Sequence, residues 1–221
     1  MHKIFFNERL IGLNDWATIV FLVAFIAIAV NRNIFGPRFN EFVRLGVSDK
    51  YTKIYKESAN IRSGFTVSLF FVQMISLSFF VLLLLSQFYH KEKHDGVLYI
   101  QIFTFLTVFI LSKYLIEKII ATSFKIEEFA EQFNLLKVSY RTYIGLLLLP
   151  VNIILYYNSI NSGIIYSILL LLVIAFSAVT YLITLRAYQS LVSRKIFYFI
   201  LYLCTFEIAP YYFMYYWITK N

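Results

Sequence analysis

One cysteine in 221 residues, Cys204, excludes an internal disulfide and any multi-cysteine metal site. Charge is scarce too. Asp, Glu, Lys and Arg make up 14% of the chain, against about a quarter in ordinary soluble domains. There is no glycine-rich nucleotide loop, no Ser-His-Asp set and no pair of carboxylates within an apolar run. Membrane enzymes need several converging polar groups, so no catalytic role and no cofactor are expected. His90 and His94 stand four apart with Glu92 and Asp95 nearby, but no third ligand accompanies them, and no metal is expected. Internal repeats are absent to inspection. The apolar runs lack the alternation of barrel strands, which excludes a membrane β-barrel.

What the chain has instead is apolar bulk: 60% hydrophobic and 20% aromatic residues. A soluble protein of this size could not hide that surface, and the polar residues are gathered into blocks. A helix needs about 20 mostly apolar residues to cross roughly 30 Å of hydrocarbon. Six runs meet or approach that length, at about 15–31, 65–88, 97–118, 142–158, 163–185 and 196–218. The expected fold is therefore all-α: a single integral membrane domain, 1–221, built as a six-span helix bundle. Pro150 in the fourth run and Pro210 in the sixth are expected kinks, tolerated where neighbours satisfy the freed carbonyls.

Lysine and arginine give the orientation. The loops 32–64, 119–141 and 186–195, with Lys118 at the border, carry fourteen, and the opposite side carries five. Cytoplasmic loops hold the excess, so both termini are expected to face outward. The net charge of +8 is then mostly a topology signal, and nucleic acid is not an expected partner. Ala27-Ile28-Ala29 imitates a signal-peptide cleavage site. Arg32, Arg38 and Arg44 follow at once and would have to be exported, so the first run is expected to stay as a span.

The basic loop 32–64 has room for two short helices. Gly36-Pro37 is a start signal and Gly46 a stop, with Phe39, Phe42 and Val43 on one face; Ser48 and Asp49 can cap a second helix bearing Tyr51, Ile54 and Tyr55. Such elements lie in the membrane interface and favour anionic lipid. Further on, Ile126, Phe129, Ala130 and Phe133 recur at helical spacing while Glu127, Glu128 and Glu131 face elsewhere, giving an amphipathic helix over 123–138. Acids suit an anionic lipid surface poorly, so Ile126, Phe129 and Phe133 are candidates for packing on protein: this bundle or a partner. The aromatic tail 211–217 reads as an interfacial belt.

The sharpest chemical clue is Glu207, near the middle of the last apolar run. A carboxylate at that depth costs roughly 2–4 kcal/mol and needs a partner, a proton or a role. Lys113 is one candidate partner, about 7–8 Å away along the membrane normal if spans three and six touch. Glu117 competes for Lys113 at i, i+4. Gln73 and Asn152 are neutral alternatives, completing a candidate intramembrane polar cluster of Glu207, Lys113, Glu117, Gln73 and Asn152.

The segments Tyr140-Arg141-Thr142-Tyr143-Ile144-Gly145-Leu146-Leu147-Leu148-Leu149-Pro150 and Leu201-Tyr202-Leu203-Cys204-Thr205-Phe206-Glu207-Ile208-Ala209-Pro210 carry a further signal. Together they resemble an uncharacterised family of Bacteroidota integral membrane proteins, known as a domain of unknown function. The resemblance covers roughly residues 65–221, and its specific part is the LYLC-x-x-EI-x-P segment. It implies an inner-membrane protein of a Gram-negative envelope, carries no established activity, and puts weight on Arg141, Pro150, Cys204, Glu207 and Pro210. The expected function is a non-enzymatic subunit or assembly factor of a larger cell-envelope complex, with other membrane or envelope proteins as partners. The alternative is a small secondary transporter or flippase coupled through Glu207.

Overall fold

A computed structural model describes residues 15–46, 51, 63–89, 91–123, 127–158 and 162–187. Its long elements follow the apolar runs: α1 (Asp15–Ile34), the short α2 (Gly36–Val43), α3 (Gly64–Tyr89), α4 (Gly96–Ser123), α5 (Glu127–Tyr157) and α6 (Gly163–Ala187). A turn of 3₁₀ helix, Arg44–Gly46, closes α2. Five of these helices are long and apolar enough to cross a membrane: α1, α3, α4, the Phe133–Tyr157 part of α5, and Gly163–Ile183 of α6. The protein is thus a multi-pass helical bundle. The expected sixth span, 196–218, lies outside the described residues.

The termini of the helices carry the local signals that start them. Asp95 accepts from the backbone N–H groups of Val97 and Leu98 at 2.9 and 3.1 Å, capping α4. Ser63 caps α3 through the Thr66 N–H at 3.4 Å. Pro37 sits in the first turn of α2, where its missing N–H costs nothing.

Contacts give the direction of each helix. Asn31 of α1 bonds Ser68 of α3, while Phe21 stacks on Phe79, so these two run antiparallel. Phe71 meets Phe103 and Phe79 meets Tyr99, so α4 is antiparallel to α3. Thr142 meets Gln73, Asn152 meets Ser76 and Tyr156 meets Phe79, so α5 runs parallel to α3. Tyr143 lies against Phe176 and Phe133 against Tyr181, which turns α6 back. Direction alternates at each crossing, and the connections that follow α1 and α4 emerge at one end of the bundle.

Helix α3 is the hub, in contact with α1, α4, α5 and α6. Lipid tails are as apolar as leucine, so packing and hydrogen bonds, not the hydrophobic effect, hold such helices together. At one end Phe79, fully buried, collects Phe21 at 4.1 Å between ring centroids, Tyr99 at 4.5 Å, and Trp16 and Tyr156 at 5.7 Å. Pairs of this kind contribute about 0.5–1.5 kcal/mol each. At the other end Phe39, Phe42, Leu45, Tyr51, Phe65 and Phe133 form a second cluster. Arg38 lies 4.7 Å over the Phe65 ring and donates to Ser63 Oγ at 3.2 Å. The first part of the basic loop is thereby held on its own bundle. Of the second expected short helix, only Tyr51 is described; it is buried with its ring edge-on to Phe42 at 5.6 Å.

Two boundaries differ from the sequence reading. The amphipathic helix expected over 123–138 and the span expected over 142–158 form one continuous helix, α5. Nothing between Phe133 and Ile144 breaks a helix, and Leu136, Tyr140 and Ile144 continue the buried stripe that Phe133 begins. The change from amphipathic to apolar is a change of surroundings along one rod, not a turn. Pro150 lies inside α5 without ending it, its side exposed, as expected where lipid or neighbouring helices tolerate the lost bond.

Candidate functional site

The buried polar residues of the bundle gather at joints between helices. The first lies between α3 and α5. Thr142 Oγ1 donates to Gln73 Oε1 at 2.9 Å, with both residues buried. Asn152 Nδ2 donates to the Ser76 carbonyl at 2.7 Å and lies 3.2 Å from Ser76 Oγ. Between these two bonds Gly145 passes directly over Gln73. A Cβ at position 145 would sit 2.9 Å from Gln73 Cγ and 3.0 Å from its Cα. The glycine lets the backbones approach closely enough for both hydrogen bonds to form. Gln73 Nε2 and Asn152 Oδ1 have no partner among the described residues.

A second joint ties α4 to α5. Glu117, 3% exposed, accepts from Lys137 Nζ at 3.0 Å. Lys137 also approaches the Phe133 ring at 5.8 Å. Lys113 lies one turn before Glu117 on α4 and is buried. The i, i+4 spacing set Glu117 beside Lys113; in the structure Lys137 is a hydrogen-bonded partner of Glu117.

The third joint closes the opposite end. Trp16 Nε1 donates to the His94 carbonyl at 3.0 Å, and Lys93 Nζ to the Tyr156 carbonyl at 3.1 Å. His94 Nδ1 lies 3.4 Å from the Tyr156 hydroxyl, its ring edge-on to Tyr156. Burial, then the neighbouring Lys93, pushes the His94 pKa down, with Glu92 opposing; burial likewise lowers that of Lys93. His94 is thus engaged in a latch, and its i−4 neighbour His90 lies outside the described residues. No group of three metal-ligating side chains occurs among the described residues.

The structure places some of the sequence-selected residues together. Gln73 and Asn152 share the α3–α5 joint, and Lys113 and Glu117 share α4. Glu207, Pro210 and Cys204 lie outside the described residues, as does Ile126. Phe129 belongs to α5. Phe133, 1% exposed, is covered by its own chain in the cluster with Phe42 and Leu45, so it offers no free docking face. Glu127 and Glu131 are exposed. Sequence reasoning missed Ser76, Thr142, Lys137, Trp16 and Tyr156, the partners that complete the three joints.

Among curated proteins and among solved structures nothing matches the chain. The profile of the domain of unknown function DUF4271 matches residues 17–218, nearly the whole length, and the protein belongs to that family.

Proposed function

We propose that this protein is a non-enzymatic component of the inner membrane, a subunit or assembly factor of a larger cell-envelope complex, with both termini on the periplasmic side. One observation carries the reading. The bundle's buried polar groups engage one another from helix to helix, as in Gln73–Thr142, Asn152–Ser76 and Glu117–Lys137, and so serve as clamps that fix a scaffold. Meanwhile α4 and α6 turn large apolar side chains outward, among them Leu115, Ile119, Leu171 and Ile174. A tagged chain purified in mild detergent from its native membranes should bring down membrane or envelope proteins in stoichiometric amounts. Recovery as a lone chain after cross-linking in intact cells would overturn the reading. Labelling of cysteines introduced at positions 50, 130 and 190 should be blocked from the outside, and labelling of position 50 in intact cells would reverse the orientation.

A second reading, a secondary transporter or flippase coupled through Glu207, has its support in the intramembrane carboxylate of the sequence. The unpartnered Gln73 Nε2 and Asn152 Oδ1 add to it as buried polar atoms with capacity to spare. Glu207→Gln discriminates. A variant that assembles normally and keeps function supports the scaffold, whereas one that assembles normally and loses function supports proton coupling.

A further inference from the structure

Where α4 ends and α5 begins, the two helices enclose a cleft of ≈ 210 Å³ lined by Tyr114, Lys118, Ala121, Thr122, Glu127, Glu131 and Asn134. On α4, Tyr114, Lys118 and Thr122 recur at i, i+4, i+8; on α5, Glu127, Glu131 and Asn134 recur at i, i+4, i+7. Each set therefore occupies one face of its helix. Among the described residues no ion pair joins Lys118 to either carboxylate, although all three line the same small space. Asn134 is only 5% exposed, and its Oδ1 has no hydrogen-bond partner among the described residues. A buried amide oxygen without a partner costs stability unless something donates to it.

The chemistry of this lining selects its occupant. A simple anion would meet two carboxylates, and a simple cation would meet Lys118. The fitting group carries both charges a few ångströms apart: a phosphate beside Lys118, and an ammonium whose N–H groups reach Glu131 and, one turn away, Asn134 Oδ1. The volume lies below the roughly 300 Å³ at which pockets for drug-sized ligands begin, so the group is small. Position decides its source. Lys118 stands near the end of the candidate span Gly96–Ser123, and the ends of a span lie at the headgroups. Seven residues deeper on the same face, about 10 Å at 1.5 Å per residue, Leu111 is exposed where an acyl chain would lie. The geometry points to a binding site for the headgroup of an ethanolamine phospholipid. Choline lipids carry the same charges but no N–H to give Asn134, and glycerol lipids carry no ammonium.

The full-length protein, purified in mild detergent, is titrated with phosphatidylethanolamine, phosphatidylcholine and phosphatidylglycerol of identical acyl chains while its thermal unfolding is followed. The ethanolamine lipid should act at a concentration at least about fivefold lower than either other lipid, the size expected for one or two charge-assisted hydrogen bonds. Soluble glycerophosphoethanolamine should compete with it. Lys118→Gln and Glu131→Gln, both at the rim, should unfold at the wild-type temperature without lipid yet lose the preference. Asn134→Leu should lose it as well. Equal action of the ethanolamine and choline lipids, strongest action by the glycerol lipid, failure of the soluble headgroup to compete, or an undiminished preference in the rim variants would each overturn the assignment.

Discussion

Gly145→Ala adds one methyl group at the point where α3 and α5 come closest, and its effect is the balance of three terms. Alanine is the better helix former, by up to about 1 kcal/mol in water. That advantage is smaller where lipid and neighbouring helices already shield the backbone from water. Against it stands the new Cβ, 2.9 Å from Gln73 Cγ and 3.0 Å from Gln73 Cα. The nearest atoms are the root of a side chain and the backbone of the central helix, so no free end can swing aside. Overpacking of this kind costs about 1–3 kcal/mol. Parting the helices also stretches the Thr142–Gln73 bond of 2.9 Å, and interhelical bonds in membranes average about 0.6 kcal/mol. The net expectation is a loss of about 0.5–2.5 kcal/mol, and more for Gly145→Val. Gly36→Ala is the control, since nothing lies within 4 Å of a Cβ at that position, and it should stay within about 0.5 kcal/mol of wild type. Unfolding by sodium dodecyl sulfate from mild detergent, followed by circular dichroism, gives all three values. Gly145→Ala as stable as wild type, or more stable than it, would refute the close approach of α3 and α5.

Glu117→Ala should destabilise by about 3–5 kcal/mol, because it leaves the Lys137 ammonium without its carboxylate in a pair that is 3% and 11% exposed. The double variant Glu117→Leu/Lys137→Met should recover much of that loss in the same unfolding assay, and strict additivity of the single losses would contradict a direct pair. Asn152→Leu removes the bonds to Ser76 for about 0.5–1.5 kcal/mol, whereas Asn152→Asp puts a charge in the membrane for roughly 2.5–3.5 kcal/mol, so Asp should be the worse of the two. For His94 the folded chain holds the pKa below the ordinary value, so the unfolded chain binds the proton more readily and stability falls as pH drops through about 6.5. His94→Gln should flatten the difference in unfolding temperature between about pH 7.5 and pH 5.5, and an unchanged slope would remove His94 from the latch.

The bundle was legible because its signal is composition over about 20 residues: four of the expected runs appear as helices within about five residues of their predicted ends, and the run 142–158 forms the C-terminal part of α5. The misplaced boundary at 138–142 has a different origin. Hydropathy reports surroundings, and α5 changes surroundings from charged to apolar without changing conformation. Only the unbroken spacing of Phe133, Leu136, Tyr140 and Ile144 reports the rod itself. At the joints, the amides of Gln73 and Asn152 stood out in apolar runs because a primary amide carries more donors and acceptors than its own helix can satisfy: Asn31 Nδ2 donates to the Ala27 carbonyl one turn back at 3.1 Å and still bonds Ser68 of α3. Their hydroxyl partners carried no such signal. Ser78 donates to the Met74 carbonyl at 2.7 Å and Ser123 to the Ile119 carbonyl at 2.9 Å, and a hydroxyl that can bond its own helix announces no neighbour. Ser76 and Thr142 look identical to these in sequence.

The deeper reason that the α3–α5 joint escaped prediction is directional. Helices that follow one another across a membrane must alternate in direction, so short connections foretell antiparallel neighbours such as α4 and α5. A parallel pair can form only between helices separated by an intervening crossing. Gln73 and Thr142 are 69 positions apart, and Ser76 and Asn152 are 76 apart. No turn geometry sets that register. It is set where the backbones can touch, at Gly145, and confirmed by two bonds that form only when they do. The bonds and the glycine are therefore one device: enlarging residue 145 should loosen Thr142 from Gln73 and Asn152 from Ser76 together, and removing either bond should leave the other weaker than it was. A double-mutant cycle between Gly145→Ala and Asn152→Leu should show a coupling of at least about 0.5 kcal/mol, and independence of the two would mean that the register is held elsewhere.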